Sequence, residues 1–243
     1  MQKNYKFILQ SSNKNKFISF YLIIRMFFFR KLSFLDKKYY KNYLNDNKEN
    51  LNFKAEGKYS QDWFSYNIKY ISRIIYKYQL NEKNLNILEI GSYEGLSTVF
   101  FLTILKKSRI YCVDPFMDFT ENKDKNFDLV YENFIFNTKK FSDRLKLAKT
   151  DSDNFFKSTV TENFDLIYID GSHHAENVLR DANNSFKLLN KNGFIIFDDF
   201  MWDYHSDPND NPIGAIKEFI KDNFFKLQIV SIGYQLIIKK ISN

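Results

Sequence analysis

Cysteine occurs once in this chain of 243 residues, and proline only three times. A single thiol, Cys112, excludes an intrachain disulfide framework and a cysteine-built zinc site. It also fits a reducing compartment. Cys112 itself falls in an apolar run, Ile110 to Val113, and reads as a small core residue. The apolar run Phe17 to Phe29, FISFYLIIRMFFF, is shorter than the roughly 20 residues a membrane span needs and holds Arg25 inside it. No small-residue cleavage site follows it, which argues against a secretory signal. No G-x-G-x-x-G follows any strand-like run, and no internal repeat is visible.

What is present is a sizeable apolar fraction, 44%, with 19% aromatic residues, enough for a large core. The formal net charge of +7 is unevenly spread. Residues 1–60 hold 13 Lys/Arg against 4 Asp/Glu, whereas the remainder holds 23 against 25. The basic character therefore belongs to the N-terminal segment. Base-reading or strand-tracking motifs are absent beside that charge, so no nucleic-acid partner is expected. Basic residues flank the apolar run (Lys14, Lys16, Arg30, Lys31). A helix lying on an anionic membrane surface through residues 14–31 is one outcome; packing on the rest of the chain or on a second subunit is the other. The expected placement is cytoplasmic, with contact at the inner face of the membrane as the alternative.

Along the chain, residues 1–13 are polar and read as loose. Residues 14–46 read as helical with a break near Ser33, and 47–60 as a polar linker. We divide the chain into an N-terminal extension, 1–59, and one domain, 60–243. A helix beginning at Ser60 or Gln61 carries an apolar stripe of Trp63, Ile68, Ile71, Ile74 and Ile75. Buried-strand runs follow at 86–90, 109–113, 145–148, 165–169 and 194–197. Helical stretches at 95–107, 126–140, 152–158 and 174–190 alternate with them. That alternation predicts an α/β, Rossmann-like, doubly wound sheet. Asn211-Pro212 opens a further helix. Strands near 225–231 and 234–239, joined at Gly233, are close enough to force an antiparallel pair. The prediction is seven strands, mostly parallel, with an antiparallel C-terminal hairpin and an N-terminal helical extension.

Three segments carry chemistry. Leu88-Glu89-Ile90-Gly91-Ser92-Tyr93-Glu94-Gly95 runs from a strand through a glycine turn into a helix. Gly91 lets the backbone turn tightly and approach a ligand closely. The second strand ends in Val113-Asp114-Pro115, placing Asp114 where an acid can accept ribose hydroxyl hydrogens; a turn aspartate before proline is the structural alternative. Finally, Asp170-Gly171-Ser172-His173-His174 and Asp198-Asp199 fall at the ends of the fourth and fifth strands. Clustered carboxylates raise each other's pKa, and a divalent cation with oxygen ligands would relieve them. Helix capping and loop solvation are the alternatives for these acids and histidines.

The E-x-G-x-x-x-G loop resembles motif I of the class I S-adenosylmethionine-dependent methyltransferases. The F-D-L-I-x-I-D-G-S-H stretch, with the later I-I-x-D-D, is similar to a methyltransferase subfamily acting on sugars and small hydroxylated molecules. It also resembles the metal-dependent catechol-type O-methyltransferases. The resemblance covers about three quarters of the chain and implies that S-adenosylmethionine is the cofactor. Glu89 would serve its amino acid end, Gly91, Ser92 and Gly95 its carboxylate side, Asp114 its ribose, and Asp151 and Ser152 its adenine; Asp151 and Ser152 equally suit a helix cap. It implies a metal site, with Mg2+ as the ion, at Asp170, Asp198 and Asp199, though Asp199 stands where catechol-type enzymes have Asn. Their lysine after the strand-four aspartate is absent. His173 stands in that neighbourhood and is the candidate general base, with His174 the fallback and Asp170 the other catalytic candidate. The acceptor implied is a small molecule or glycan, such as a sugar hydroxyl in polysaccharide biosynthesis. Competing expectations are an α/β nucleotide- or nucleotide-sugar-binding enzyme and a non-catalytic interaction protein keeping the fold. RNA methylation is disfavoured, because the domain is not basic and no Asn-Pro-Pro-Tyr type motif occurs.

Overall fold

The computed structural model describes residues 8–9, 16–46, 53–117, 126–158 and 161–243, with side chains in the first helix described through Lys31. The expectations for residues 1–7, 10–15 and 47–52 lie outside the described residues. The chain forms two compact units, residues 39–161 and residues 1–38 with 162–243.

In the first of these, α2 (Ile68–Lys77) precedes β1 (Asn86–Ile90), α3 (Leu96–Ile104), β2 (Arg109–Val113), α4 (Phe127–Thr138), β3 (Leu145–Ala148) and α5 (Ser152–Lys157). The helix before α2 in chain order, α1, spans Lys16–Asp46. β1 is buried at every position but its first, as a parallel strand covered on both faces must be. β1 pairs with β2 and β2 with β3, all parallel, aligning Ile90 with Val113 and Val113 with Ala148. The ends of these strands therefore deliver Gly91, Asp114 and Lys149 side by side.

α3 is almost wholly apolar and buried. Its Phe100 and Phe101 stack edge-on to each other and pack against Phe64, and Phe100 also meets Phe53. Arg144 closes the C-terminal end of α3: its guanidinium donates to the carbonyls of Leu102, Leu105 and Ser108. A cation there satisfies orphan carbonyls and complements the helix dipole.

The expected helix start at Ser60 or Gln61 is corrected: the α-helix begins at Ile68, after a single 3-10 turn at Ser65–Asn67. Asp62 is the reason, since its carboxylate accepts the Ser65 backbone N–H at 2.9 Å and stops the helix from extending backwards. Trp63 consequently leaves the apolar stripe; it is half exposed and packs on Tyr93. The described part of the expected linker is pinned. Lys58 and Asn137 exchange two hydrogen bonds of 2.7 and 2.8 Å, and the Ser60 N–H donates to Glu94.

The other unit contains α1 up to residue 38, β4 (Phe164–Ile169), α6 (Ala175–Leu188), β5 (Leu189–Phe197), α7 (Pro212–Asp222), β6 (Leu227–Ile232) and β7 (Leu236–Lys240). β4 and β5 are parallel, aligning Ile169 with Phe197. β7 runs antiparallel to both β5 and β6; the short connection at Gly233 requires this of the β6–β7 pair. α1 is one unbroken helix, so the expected break near Ser33 is corrected; serine alone does not stop a helix flanked by good helix formers. Arg25 of α1 donates to the Ile229 carbonyl, and Phe17 and Tyr21 meet Phe224 edge-on. In sequence of neighbours the strands run β3-β2-β1-β4-β5-β7-β6, a seven-stranded mixed sheet. This is the Rossmann-like α/β architecture expected, with its antiparallel C-terminal strands.

Candidate active site

The glycine loop after β1 is shaped by three left-handed residues, Gly91 (φ 83°), Tyr93 (φ 47°) and Gly95 (φ 80°). Gly95 donates to the Ser92 carbonyl at 2.8 Å, closing the turn, and Gly91 donates to Val113 at 2.9 Å. A Cβ at Gly95 would stand 3.1 Å from both Phe134 and Thr138 of α4, so the loop also needs glycine there for space.

Asp114 holds this loop from the neighbouring strand. Its Oδ2 accepts the backbone N–H of Ser92 and of Tyr93, each at 2.8 Å, and its Oδ1 accepts Phe116 N–H at 2.7 Å. Burial pushes its carboxyl up, and these three donors pull it back. A carboxylate offers about four acceptor positions, and among the described residues these donors fill three of them.

Glu89 is fully buried. Ser92 donates to its Oε2 at 3.1 Å, Ser97 and Thr98 donate to it as well, and the Cys112 thiol donates at 3.3 Å. Burial raises its pKa, opposed by those hydroxyls and the thiol. In this structure Glu89 thus ties the loop and the start of α3 to β1 and β2. Glu94, which the sequence reading passed over, is buried too, and joins Ser60 to Asn133 of α4. It also contributes, after burial, to raising the Tyr59 hydroxyl to about 12.

Asp151 caps α5. Its Oδ1 accepts the Asn154 N–H at 2.7 Å and its Oδ2 accepts the Asn154 side chain at 2.8 Å. Ser152 is the first residue of that helix. Both sit just beyond β3, on the side where Gly91 and Asp114 emerge.

In the other unit, Asp170 follows β4 and Asp198 and Asp199 follow β5. Asp170, His173 and Asp199 each offer a ligand atom, and these atoms lie within 4.8 Å of one another. His173 Nε2 stands 3.0 Å from Asp199 Oδ2. Asp198 was expected as the third ligand, but it is buried and turned toward other partners: Tyr168 Oη donates to its Oδ1 at 2.6 Å, and Gln235 donates to the same oxygen. Burial first, then the charge of Asp199, raises Asp198 to about 7; Tyr168, Gln235 and His173 oppose the shift. Tyr168 Oη also lies 3.3 Å from Asp170, and Tyr234 Oη donates to Asp199 at 3.3 Å. Two carboxylates and an imidazole within this span fit a divalent cation with mixed oxygen and nitrogen ligands. The charge of Asp199, which adds to the effect of burial on Asp198, is what such a cation would offset.

All three histidines of the chain gather here. His174 stacks on His205 with ring centroids 4.2 Å apart, His173 packs on Trp202 at 4.7 Å, and Trp202 meets His205 at 4.6 Å. His205 Nε2 lies 3.2 Å from the His173 carbonyl oxygen. Tyr168 and Gln235 were missed in the sequence. Nothing local singles out either: Tyr168 lies in a strand buried at nearly every position, where it reads as one more core residue.

The glycine loop at the end of β1 and the acid at the end of β2, in a sheet of this order, match the outline that the resemblance to class I S-adenosylmethionine-dependent methyltransferases implies. Residues 88–200 match the family model Methyltransf_24, described as a methyltransferase domain, and the chain carries that domain. Protein R132 of Acanthamoeba polyphaga mimivirus, described as uncharacterized, is 29% identical over 146 residues, covering 57% of this chain and 61% of that protein. Among solved structures, the Bacillus cereus O-methyltransferase in complex with S-adenosylhomocysteine (SAH) has a TM-score of 0.55 at 17% identity, over 76% of this chain and 84% of that one. Cofactor-bound Rv0187 from MTB has 0.55 at 15%, over 79% and 87%. MycE of mycinamycin biosynthesis, in complex with Mg, SAH and mycinamycin VI, has 0.54 at 16%, over 75% of this chain and 51% of that one. At these identities the likenesses establish the fold.

Proposed function

We propose that the chain transfers the methyl group of S-adenosylmethionine to a hydroxyl oxygen of a sugar or another small hydroxylated acceptor. The observation that carries this reading is the convergence of Asp170, His173 and Asp199 at the strand ends. The methyl donor would be held by the Gly91–Gly95 loop, with Asp114 on the ribose and Asp151 and Ser152 toward the adenine. Glu89 would act by fixing the shape of that loop.

The sulfonium methyl is already activated, so the protein must align an acceptor oxygen and remove its proton. Asp199 orients His173 through Nε2, which leaves Nδ1 as the basic nitrogen. The acceptor proton passes to Nδ1, the oxygen bonds to the methyl carbon, the carbon–sulfur bond breaks, and SAH leaves. Asp170 and Asp199 would hold a divalent cation, which when bound lowers the pKa of the acceptor hydroxyl. Proteins of the same fold include MycE, solved in complex with Mg. Trp202, beside His173, and the exposed Tyr204 next to it offer a wall against which a sugar face can stack.

A second reading has one observation in its favour: a ring nitrogen of His173 belongs to the ligand cluster, so His173 could bind the cation instead of serving as the base. The test is an acceptor screen with labelled methyl donor, with and without Mg2+ or Mn2+, beside SAH titration by calorimetry. Metal-dependent labelling of a hydroxylated acceptor is expected. No SAH binding in either condition removes the cofactor assignment; SAH binding with labelling of nitrogen acceptors alone removes O-methylation.

A further inference from the structure

We propose that one face of α1 docks on the surface of an anionic lipid bilayer, with the helix lying in the interface. Ile18, Ser19, Leu22 and Met26 are buried against the helix's own unit. The opposite face carries Phe17, Phe20, Ile24, Phe27 and Phe28, all exposed. Their spacing of 3, 4, 3 and 1 residues makes one stripe at helical period. The stripe is not an isolated surface residue or two: Phe17 is 67% exposed and Phe20 63%. It continues off the helix, since Phe17 meets Phe224, which meets Phe225, itself 88% exposed. Soluble surfaces rarely leave a contiguous aromatic patch of this kind uncovered without a partner.

Charge decides which partner. Residues 16–31 contain Lys16, Arg25, Arg30 and Lys31 and no acidic residue. Arg25 is turned inward to the Ile229 carbonyl; Lys16, Arg30 and Lys31 are exposed, and the Lys31 ammonium sits 4.6 Å over the Phe27 ring at the border of the stripe. A second copy docking symmetrically would set these cations against their own counterparts. A bilayer with anionic headgroups supplies the opposite charge beside an apolar layer, which suits a stripe of phenylalanines rimmed by lysine and arginine. Among the described residues no helix is long and apolar enough to cross a membrane, so the contact is one of lying on the surface.

The test is co-sedimentation of the full chain with phosphatidylcholine vesicles and with vesicles carrying about 30% phosphatidylserine. We expect pelleting with the anionic vesicles, and about tenfold weaker binding at high salt or in a Phe17→Ser, Phe20→Ser, Phe27→Ser variant. That variant's circular dichroism and thermal midpoint should match the parent. A Lys16→Glu, Arg30→Glu, Lys31→Glu variant, which leaves the apolar stripe in place, should lose the preference for anionic vesicles. No pelleting of the parent, or equal pelleting of parent and serine variant, overturns the proposal. So does a parent dimer in sedimentation velocity that the serine variant disperses, which assigns the face to a second copy.

Discussion

His173 Nε2 lies 3.0 Å from Asp199 Oδ2, so that carboxylate engages one ring nitrogen and leaves Nδ1 to other partners. If His173 is the base, His173→Gln should lower kcat by about 10²- to 10⁴-fold. SAH affinity should stay unchanged, and Mn2+ affinity by calorimetry should change less than about tenfold. A larger loss of metal affinity, with activity restored at high Mn2+, transfers His173 to the ligand set.

Asp170 separates metal from methyl donor. Asp170→Ala should abolish metal-stimulated turnover while leaving SAH binding intact, because Asp170 belongs to the cluster with His173 and Asp199, whereas the methyl donor is assigned to the Gly91–Gly95 loop. Equal loss of turnover and SAH affinity in calorimetry would sink the role assigned to it.

Much of this site was legible because strand ends are. A parallel strand covered on both faces reads as an apolar run, and the residue after the run is where a ligand can be met. Gly91, Asp114, Asp170 and Asp198 were all expected at strand ends on that ground, and the structure has them there. What the sequence could not show was direction. Asp198 and Asp199 are adjacent, and the alternation along a chain leaving a strand turns one toward Tyr168 and Gln235 and the other toward His173. Nor does the segment 60–64 show its lack of helix, because a stripe containing Trp63 has the right spacing while the Asp62 turn that ends the helix is a side-chain effect. Glu89 was read as facing ligand; four local donors, spread from Ser92 to Cys112, were invisible as a set until the fold joined them.

The bond from Asp114 to the Ser92 and Tyr93 amides makes a further prediction. Asp114→Ala removes the acceptor of three backbone donors, two of them in the glycine loop. Leaving such donors short of partners costs about 1–3 kcal/mol, seen as a lower urea midpoint. SAH affinity should drop at least about tenfold, since loop shape and ribose contact are lost together. Wild-type affinity in a folded Asp114→Ala chain would exclude Asp114 from the cofactor site.

Gly95→Ala should destabilise the domain by about 2 kcal/mol or more. The left-handed backbone costs an alanine roughly 1–2 kcal/mol. The new methyl must also push Phe134 and Thr138 aside from 3.1 Å. Gly214→Ala, within α7, is the contrast: its Cβ would meet nothing within 4 Å, and helix propensity makes the change stabilising by up to about 1 kcal/mol. Thermal or urea unfolding of both variants checks the difference.

Lys217 sets a pH dependence that can be signed in advance. Its side chain is buried in α7, where the ammonium donates to the Ile8 carbonyl at 3.3 Å. Burial lowers its pKa from 10.5 to about 8. Between those two values the unfolded chain binds a proton at Lys217 that the folded chain does not, so stability rises with pH across that window. Below pH 8 both states are protonated and the burial penalty is fully present. Allowing for residual solvation of the ammonium, the gain is on the order of 1–2 kcal/mol. Subtracting the unfolding free energy of Lys217→Met from that of the parent, pH by pH, isolates this group from the tyrosines and other lysines that titrate nearby. The difference should be flat from pH 6 to about 7.5 and then climb in the parent's favour toward pH 10. A flat difference throughout would mean that the Lys217 ammonium is solvated in the folded chain.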